Sequence, residues 1–375
     1  MIPYGRQNID EDDVKAVCEA LRSDWLTTGP RVESFERAVA GYCGADFGVA
    51  VTNGTAGLHC AMHALGIGPG DEVIVPTMTF AATANCVRYV GATPVFADVA
   101  HDTLLLPPSE VERLTTPSTR AVIAVDYAGQ PCDYAGLRDV CEARKLFLVA
   151  DACHALGAAT DQGQAGVLAD LTVFSFHPVK HITTGEGGLV TGRDPDLEHR
   201  LRRFRNHGIN SEFRQRQEQG TWRYEMVELG MNYRITDIQC ALGISQLAKL
   251  PGFLTRRREI AARYDSAFAG TPVRPLAKVP GALHAYHLYV VRVDLRDEIF
   301  SRLRTAGIGV NVHYEPVHLH PYYRQTLGTG PGLCPVAEAA GQAIMSLPLH
   351  PGLSDADIET VIGGVLAATE GLCSR

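Results

Sequence analysis

Two segments of the chain carry residue types whose spacing suits one chemistry. Phe174-Ser175-Phe176-His177-Pro178-Val179-Lys180-His181-Ile182-Thr183-Thr184-Gly185-Glu186-Gly187-Gly188 places a lysine just past a strand-like run, and Asp151-Ala152-Cys153-His154-Ala155 ends another such run on a carboxylate. A lysine attacks an aldehyde only as the neutral amine, so it must be held where its pKa is lowered. An aspartate closing an apolar strand can keep the ring nitrogen of pyridoxal phosphate protonated, the cationic form in which that cofactor withdraws electrons. Lys180 and Asp151 thus read as two ends of a pyridoxal 5′-phosphate site. A third part fits a phosphate: Thr52-Asn53-Gly54-Thr55-Ala56-Gly57 follows an apolar strand and opens a helix through Leu58, Ala61, Met62 and Leu65. Unpaired amides and the helix dipole favour a dianion there. Taken alone the motif is equally an ordinary N-cap; the later Asp and Lys give it meaning.

Other clusters offer less. Gly66-Ile67-Gly68-Pro69-Gly70 follows a helix and precedes a strand, the reverse of a dinucleotide fingerprint, and reads as a turn. His177 and His181 have metal-like spacing, but Pro178 breaks the helix that would align them. His313, His318 and His320 lie among Pro316 and Pro321 with no carboxylate to complete a ligand set, so no metal is expected. The ten cysteines are scattered, without a Cys-x-x-Cys pair, and read as reduced, buried small hydrophobes; Cys153, beside Asp151, is assigned to packing.

These residues need a scaffold of buried strands. Short apolar runs at 47–51, 72–75, 94–98, 121–126, 146–151, 172–176 and 189–191 alternate with helical patterns, as in a sheet covered on both faces. After about residue 250 an Arg-rich helix (Arg256, Arg257, Arg258, Arg263) leads to strands at 289–293 and 310–313, a helix at 297–305 between them, and two final helices. The expected fold is α/β: a large domain over 1–250 with a mostly parallel mixed sheet between helices, and a smaller C-terminal α/β domain over 251–375. The polar stretch 205–236, with Gln215, Gln217, Glu218 and Gln219, reads as a mobile loop. With 46% hydrophobic residues, 20% charged and a net charge of −8, the 375-residue chain has the composition of a globular enzyme. Its cations form no stripe, which argues against nucleic-acid or anionic-membrane partners. The start Met1-Ile2-Pro3-Tyr4-Gly5-Arg6 carries no apolar signal core, so the expected location is cytoplasmic.

Asn53-Gly54-Thr55-Ala56, Pro76-Thr77-Met78-Thr79-Phe80, Asp151-Ala152-Cys153-His154-Ala155, the Lys180 run and Gly230-Met231-Asn232-Tyr233-Arg234 resemble the DegT/DnrJ/EryC1/StrS family of sugar aminotransferases across essentially the whole chain. The resemblance implies aminotransferase fold type I, with Lys180 as the Schiff-base lysine and proton carrier and Asp151 on the ring nitrogen. It further implies Phe80 stacked on the pyridine; a core aromatic is the lesser alternative for Phe80. His154 would lie near the phenolic oxygen, and Thr55, Ala56 and Ser175 on the phosphate. Asn232 would cross a homodimer interface to the partner's phosphate. Arg234 is left as a substrate contact or a structural cation, and His313 as a substrate-side residue or a surface histidine. His181, next to the Schiff-base lysine, is read first as a loop residue facing solvent, with a role in tuning the site as the alternative.

The implied reaction moves an amino group from L-glutamate, through the pyridoxamine form of the cofactor, to a nucleotide-linked keto sugar. Ile2-Pro3-Tyr4-Gly5-Arg6-Gln7, Ser23-Asp24-Trp25-Leu26-Thr27, Ala128-Gly129-Gln130-Pro131-Cys132 and His318-Leu319-His320-Pro321-Tyr322-Tyr323 look most like members of the family that act in pseudaminic acid synthesis. Their acceptor is the C4 ketone of a UDP-4-keto-6-deoxy-N-acetylhexosamine. Another nucleotide-linked keto sugar, or a cyclitol ketone, is the alternative acceptor. A dehydratase of the same fold is disfavoured because Lys180 is present, and a cofactor-binding regulator because Asp151, Lys180 and Phe80 are intact.

Overall fold

Strands covered on both faces show as near-continuous apolar runs, and the structure, a computed structural model, gathers those runs into one seven-stranded sheet. It describes residues 1–211, 214, 216 and 220–370. The strands are β1 (Phe47–Val51), β2 (Glu72–Pro76), β3 (Thr93–Ala97), β4 (Thr119–Val125), β5 (Phe147–Asp151), β6 (Leu171–Ser175) and β7 (Gly188–Gly192). Their order is β1-β7-β6-β5-β4-β2-β3. Only β7 opposes its neighbours, pairing antiparallel with both β1 and β6, while the other pairings are parallel. The C-terminal ends of β1, β4, β5 and β6 therefore open on the same edge, where an α/β sheet offers its crevice.

Helices α1 (Glu11–Leu21) and α2 (Pro30–Cys43) precede the sheet. The crossovers are α3 (Gly54–Ala64) after β1, α4 (Ala82–Tyr89), α5 (Pro108–Leu114) and α6 (Tyr134–Arg144), and α7 (Pro195–Arg205) follows β7. Beyond α7 the chain pairs with itself through single bridges at Asn206 with Asn232 and Ile209 with Met226. Gln215, Gln217, Glu218 and Gln219 lie outside the described residues.

Helix α8 (Asp237–Phe268) starts with a capping box formed by Thr236 and Gln239, and runs on past Pro251. The expected boundary at residue 250 falls inside this helix. Its C-terminal half contributes Ile260 and Tyr264 to a second core shared with α9 (Arg296–Thr305) and α12 (Asp355–Thr369), around Val291, Leu303 and Val361. That core covers an antiparallel sheet of β8 (Arg274–Pro275), β9 (Tyr289–Arg292) and β10 (Ile344–Leu347). Two helices, α10 (Pro321–Leu327) and α11 (Pro335–Ala343), lie before β10, where the sequence reading has only two final helices and no strand. Tyr323, Ala337 and Ala340 in them join the core around the seven-stranded sheet, which includes Val73, Ile123 and Leu148.

The strand expected at 310–313 is a single bridge. Asn311 exchanges both backbone bonds with Ser346, at 3.2 and 2.8 Å, and the chain then leaves the sheet, with the His313 carbonyl taken by the Tyr127 hydroxyl. Among the described residues no helix is long and apolar enough to cross a membrane.

Candidate active site

Asn53 caps α3: its side chain accepts from the Ala56 amide at 2.8 Å and its carbonyl from the Gly57 amide at 3.1 Å. Two of the first four amides, those of Gly54 and Thr55, are left with no acceptor among the described residues, as a helix start requires. No acidic residue occupies the first turn. The helix can reach the sheet edge because Gly188 lies between Val51 and Ser175 in register. A Cβ on Gly188 would stand 2.5 Å from the Asn53 carbonyl and 2.7 Å from the Gly54 nitrogen. Gly54 in turn faces Cys153 and Ser175, at 3.0 and 3.1 Å from where its own Cβ would be. Thr55, Ala56 and Ser175, expected on the phosphate, thus lie at one corner, though the Ala56 amide already serves the cap.

Asp151 ends β5 and is 6% exposed. Its Oδ2 accepts from Thr83 Oγ1 at 2.7 Å and its Oδ1 from the Cys153 amide at 3.2 Å. Because the Thr83 hydroxyl gives its proton to the carboxylate, its contact with Thr79 at 2.7 Å has Thr79 as donor. This relay from the start of α4 fixes the carboxylate before any ligand arrives.

Lys180 sits in the turn joining β6 to β7, which is held by Phe176 N to Gly187 O at 2.8 Å and Thr184 N to Phe176 O at 3.0 Å. Lys180 is half-buried as a residue, yet its amine is enclosed enough that burial lowers its pKa, against the opposing pull of Cys153 and Asp151. Burial pushes the Cys153 thiol well up, the nearby Asp151 charge adding to it. That keeps Cys153 protonated and fits its assignment to packing.

Histidines surround the amine. His287 Nε2 is 3.4 Å from Lys180 Nζ, and the His154 and His287 ring centres are 4.4 Å apart. His154 Nε2 meets the Tyr314 hydroxyl at 3.1 Å, while its buried Nδ1 has no partner. His181 is buried, not solvent-facing: its Nε2 lies 3.1 Å from the Ala285 carbonyl. The turn that carries Lys180 folds inward against segment 285–288, which draws the next residue in with it. His313 is also buried, with Nδ1 2.9 Å from Ser346 Oγ. Burial first, then the Lys180 charge, lowers its pKa to about 4. All four imidazoles are held neutral, mainly by burial.

Phe80 is 59% exposed and lies at a ring-centre distance of 5.9 Å from Tyr314, so it is no core aromatic. Asn232 is exposed. Arg234 gives Nη1 to Asn206 Oδ1 at 2.8 Å, a bond within the chain that fixes it to the end of α7. Thr83, His287 and Tyr314 belong to the site and escaped the sequence reading. Thr79 and Thr83, four residues apart across the start of α4, are a faint signal; His287 and Tyr314, far along the chain from Asp151 and Lys180, give none. Among the described residues no group of three or more His, Cys, Asp or Glu side chains could hold a metal ion.

The free amides of Gly54 and Thr55, the prearranged Asp151, the enclosed amine of Lys180 and the open face of Phe80 suit the phosphate, ring nitrogen, aldehyde and ring of one molecule. A model of the DegT/DnrJ/EryC1/StrS aminotransferase family matches residues 7–366. The chain belongs to that family. SpsC of Bacillus subtilis, a spore coat polysaccharide biosynthesis protein, is 39% identical over 380 residues, covering 99% of this chain and 97% of that one. The Spr1654 protein of Streptococcus pneumoniae, in its PMP form, superposes with a TM-score of 0.94 at 35% identity over 99% of both chains. It is also solved in a PLP form. Helicobacter pylori PseC, an aminotransferase involved in the biosynthesis of pseudoaminic acid, superposes with a TM-score of 0.92 at 32% identity, over 98% of this chain and 99% of PseC. This family member is accordingly a fold-type I aminotransferase whose cofactor is pyridoxal 5′-phosphate, with the pyridoxamine form arising in turnover.

Proposed function

We propose that this sugar aminotransferase moves an amino group from L-glutamate to the C4 ketone of a UDP-4-keto-6-deoxy-N-acetylhexosamine, a reaction of the pseudaminic acid type. Support for the acceptor is the likeness to PseC over nearly the whole chain. The higher identity to SpsC, a spore coat polysaccharide biosynthesis protein, favours a different nucleotide-linked keto sugar as the second reading.

Bound at this edge of the sheet, pyridoxal phosphate supplies an aldehyde that accepts the donor's amine and a cationic ring that spreads the charge left when a carbon loses its proton. The chain's own groups do the rest. Gly54 and Thr55 amides, with the Thr55 and Ser175 hydroxyls, hold the phosphate at the start of α3. Asp151, its oxygens oriented by Thr83 and the Cys153 amide, keeps the ring nitrogen protonated. Phe80 covers one ring face and excludes water from it. His154, with its unpaired Nδ1, is the group to bond the phenolic oxygen. Lys180, favoured as the neutral amine, would take the proton from the donor's carbon and pass it to the carbon that bore the aldehyde, and with the acceptor would take a proton from that carbon and give it to C4 of the sugar, acting as base and then as acid each time. His313 lies on the acceptor side, and Arg234 braces the segment bearing Asn232.

The active unit in this reading is a homodimer. Trp222, Leu229, Met226 and Tyr224 are 80%, 79%, 64% and 57% exposed on the segment that leads to exposed Asn232. Such a row of large apolar side chains fits a second copy, and Asn232 would then reach the partner's phosphate.

The decisive experiment follows the cofactor's absorbance. L-Glutamate should convert it to the pyridoxamine form, and UDP-4-keto-6-deoxy-L-AltNAc should restore it with formation of a 4-amino sugar. Conversion without restoration would refute this acceptor and leave the transamination standing.

A further inference from the structure

Segment 285–288, which carries His287, is fixed on both sides. The Ala285 and Leu288 amides donate to the carbonyls of Gly129 and Ala128 at 2.9 and 3.1 Å. From α8, Arg257 is 1% exposed and has no carboxylate partner among the described residues; its Nη1 donates to the carbonyls of Tyr286 at 3.1 Å and Leu349 at 2.9 Å, and at 3.4 Å to that of His287. Side-chain freedom at His287 is small, and its Nε2 is directed at the amine of Lys180.

The other ring nitrogen decides what this contact means. His287 Nδ1 is buried with no partner. Were Lys180 an ammonium ion, all its N–H bonds would be donors, Nε2 would have to accept, and the ring proton would move to Nδ1 as a buried donor facing nothing. Among buried backbone groups an orphaned N–H is rarer than an under-satisfied acceptor, and the same preference disfavours a ring N–H that faces nothing. With the proton on Nε2, that N–H points to the lone pair of a neutral amine, and only the Nδ1 lone pair is left over. The groups facing Lys180 are Asp151, Cys153, His154, His181, His287 and His313; those facing His287 are Lys180, His154, His181 and Arg257. Burial comes first, and Arg257 adds a fixed cation with no anion among the latter, so an imidazolium is disfavoured whichever form Lys180 takes; His287 is neutral and has one proton to place.

We propose that His287 is the positioning residue of Lys180: it keeps its proton on Nε2 and donates it to the Nζ lone pair, so that the amine is stored neutral and aimed whenever it is not bonded to the cofactor. The role extends the reading of Lys180 as the cofactor-bearing lysine and rests on it.

Competitive acetylation of the apoprotein across pH, with Lys180 followed by peptide mass spectrometry, reads the amine without cofactor or turnover. In His287→Gln the carboxamide can turn its oxygen to the ammonium with no tautomer to oppose it. The titration midpoint of Lys180 should rise by about one unit and its reactivity at neutral pH fall about tenfold. A midpoint that stays, or moves down, overturns the proposal, and a merely structural histidine would leave it in place. Should that variant fold poorly, the wild-type apoprotein still answers. The 15N histidine signal that responds to Lys180→Met should show the Nε2-protonated tautomer; an Nδ1-protonated ring or an imidazolium overturns the proposal. Borohydride trapping after addition of pyridoxal phosphate tests the underlying assignment separately. An adduct mapped to another lysine would refute the role of Lys180, and the inference with it, while leaving the acetylation profile unchanged.

Discussion

Gly129→Ala tests whether the loop after β4 truly locks the site. At Gly129 the backbone has φ +101°, a region open to glycine and closed to other residues. A Cβ there would lie 2.7 Å from the His154 carbonyl and 2.9 Å from the amide nitrogens of Tyr286 and His287. All three are backbone atoms, so no rotamer change relieves the overlap. The backbone strain is about 1–3 kcal/mol, and forcing one methyl into a filled space costs about 1–3 kcal/mol more. Pushing segment 285–288 away also weakens its bonds to Gly129 and Ala128, each contributing about 0.5–1.5 kcal/mol. The apparent unfolding free energy in urea should thus fall by at least about 2 kcal/mol, a large part of the ~5–15 kcal/mol typical of folded proteins. Gly41→Ala is the matched control: it lies within α2, and an added Cβ meets nothing within 4 Å. That change should stabilise by about 0.5–1 kcal/mol through helix propensity. If Gly129→Ala unfolds within about 0.5 kcal/mol of wild type, the loop is not the tight clamp described, and the rigid placement of His287 falls with it.

Phe80→Ala should leave apoprotein stability unchanged, because the ring is 59% exposed; it should weaken pyridoxal phosphate binding by about 2–10-fold, the worth of one stacked aromatic, in a fluorescence titration. Glu36 is buried against Arg205 at 2.5 Å and Arg202 at 2.8 Å. Burial pushes its pKa up, but the two guanidiniums outweigh that and hold it below the usual range. Its stabilising effect is therefore present above the unfolded-state pKa and lost as pH falls through the folded one. Glu36→Gln should cost about 3–5 kcal/mol at neutral pH and flatten the acid limb of a stability profile; an unaltered limb would contradict the triad's role. Trp222→Ser combined with Leu229→Ser should yield a folded monomer in sedimentation if those side chains cover a second copy, and a species of unchanged mass would remove that interface.

Much of the scaffold could be read from the chain because its signals are local. Each of the seven main strands is a run of apolar residues bounded by turn-forming ones, and structure and reading differ by two residues at most. The start of α3 was legible for the same reason, since Asn53 and Gly54 mark a helix N-terminus wherever they occur. Signals failed where a partner distant in sequence makes the decision. The stretch 310–313 has a strand's composition, but only Asn311 finds a neighbour in β10. His181 looks like a polar loop residue until Ala285 is placed against it.

By itself, the sequence determined the α/β class, the helix start at Asn53 and the places of Lys180 and Asp151 at the ends of apolar runs, since each depends on periodicity or on residues within a few positions of one another. Tertiary structure decided what surrounds those two groups. Thr83 reaches Asp151 across 68 residues and His287 reaches Lys180 across 107. Such neighbours are set by which strand ends share an edge of the sheet and which later segment folds over it. The protonation of Lys180 follows from that enclosure, because burial and the hydrogen-bonding capacity of neighbouring groups act through space and leave no trace in the spacing of residues along the chain.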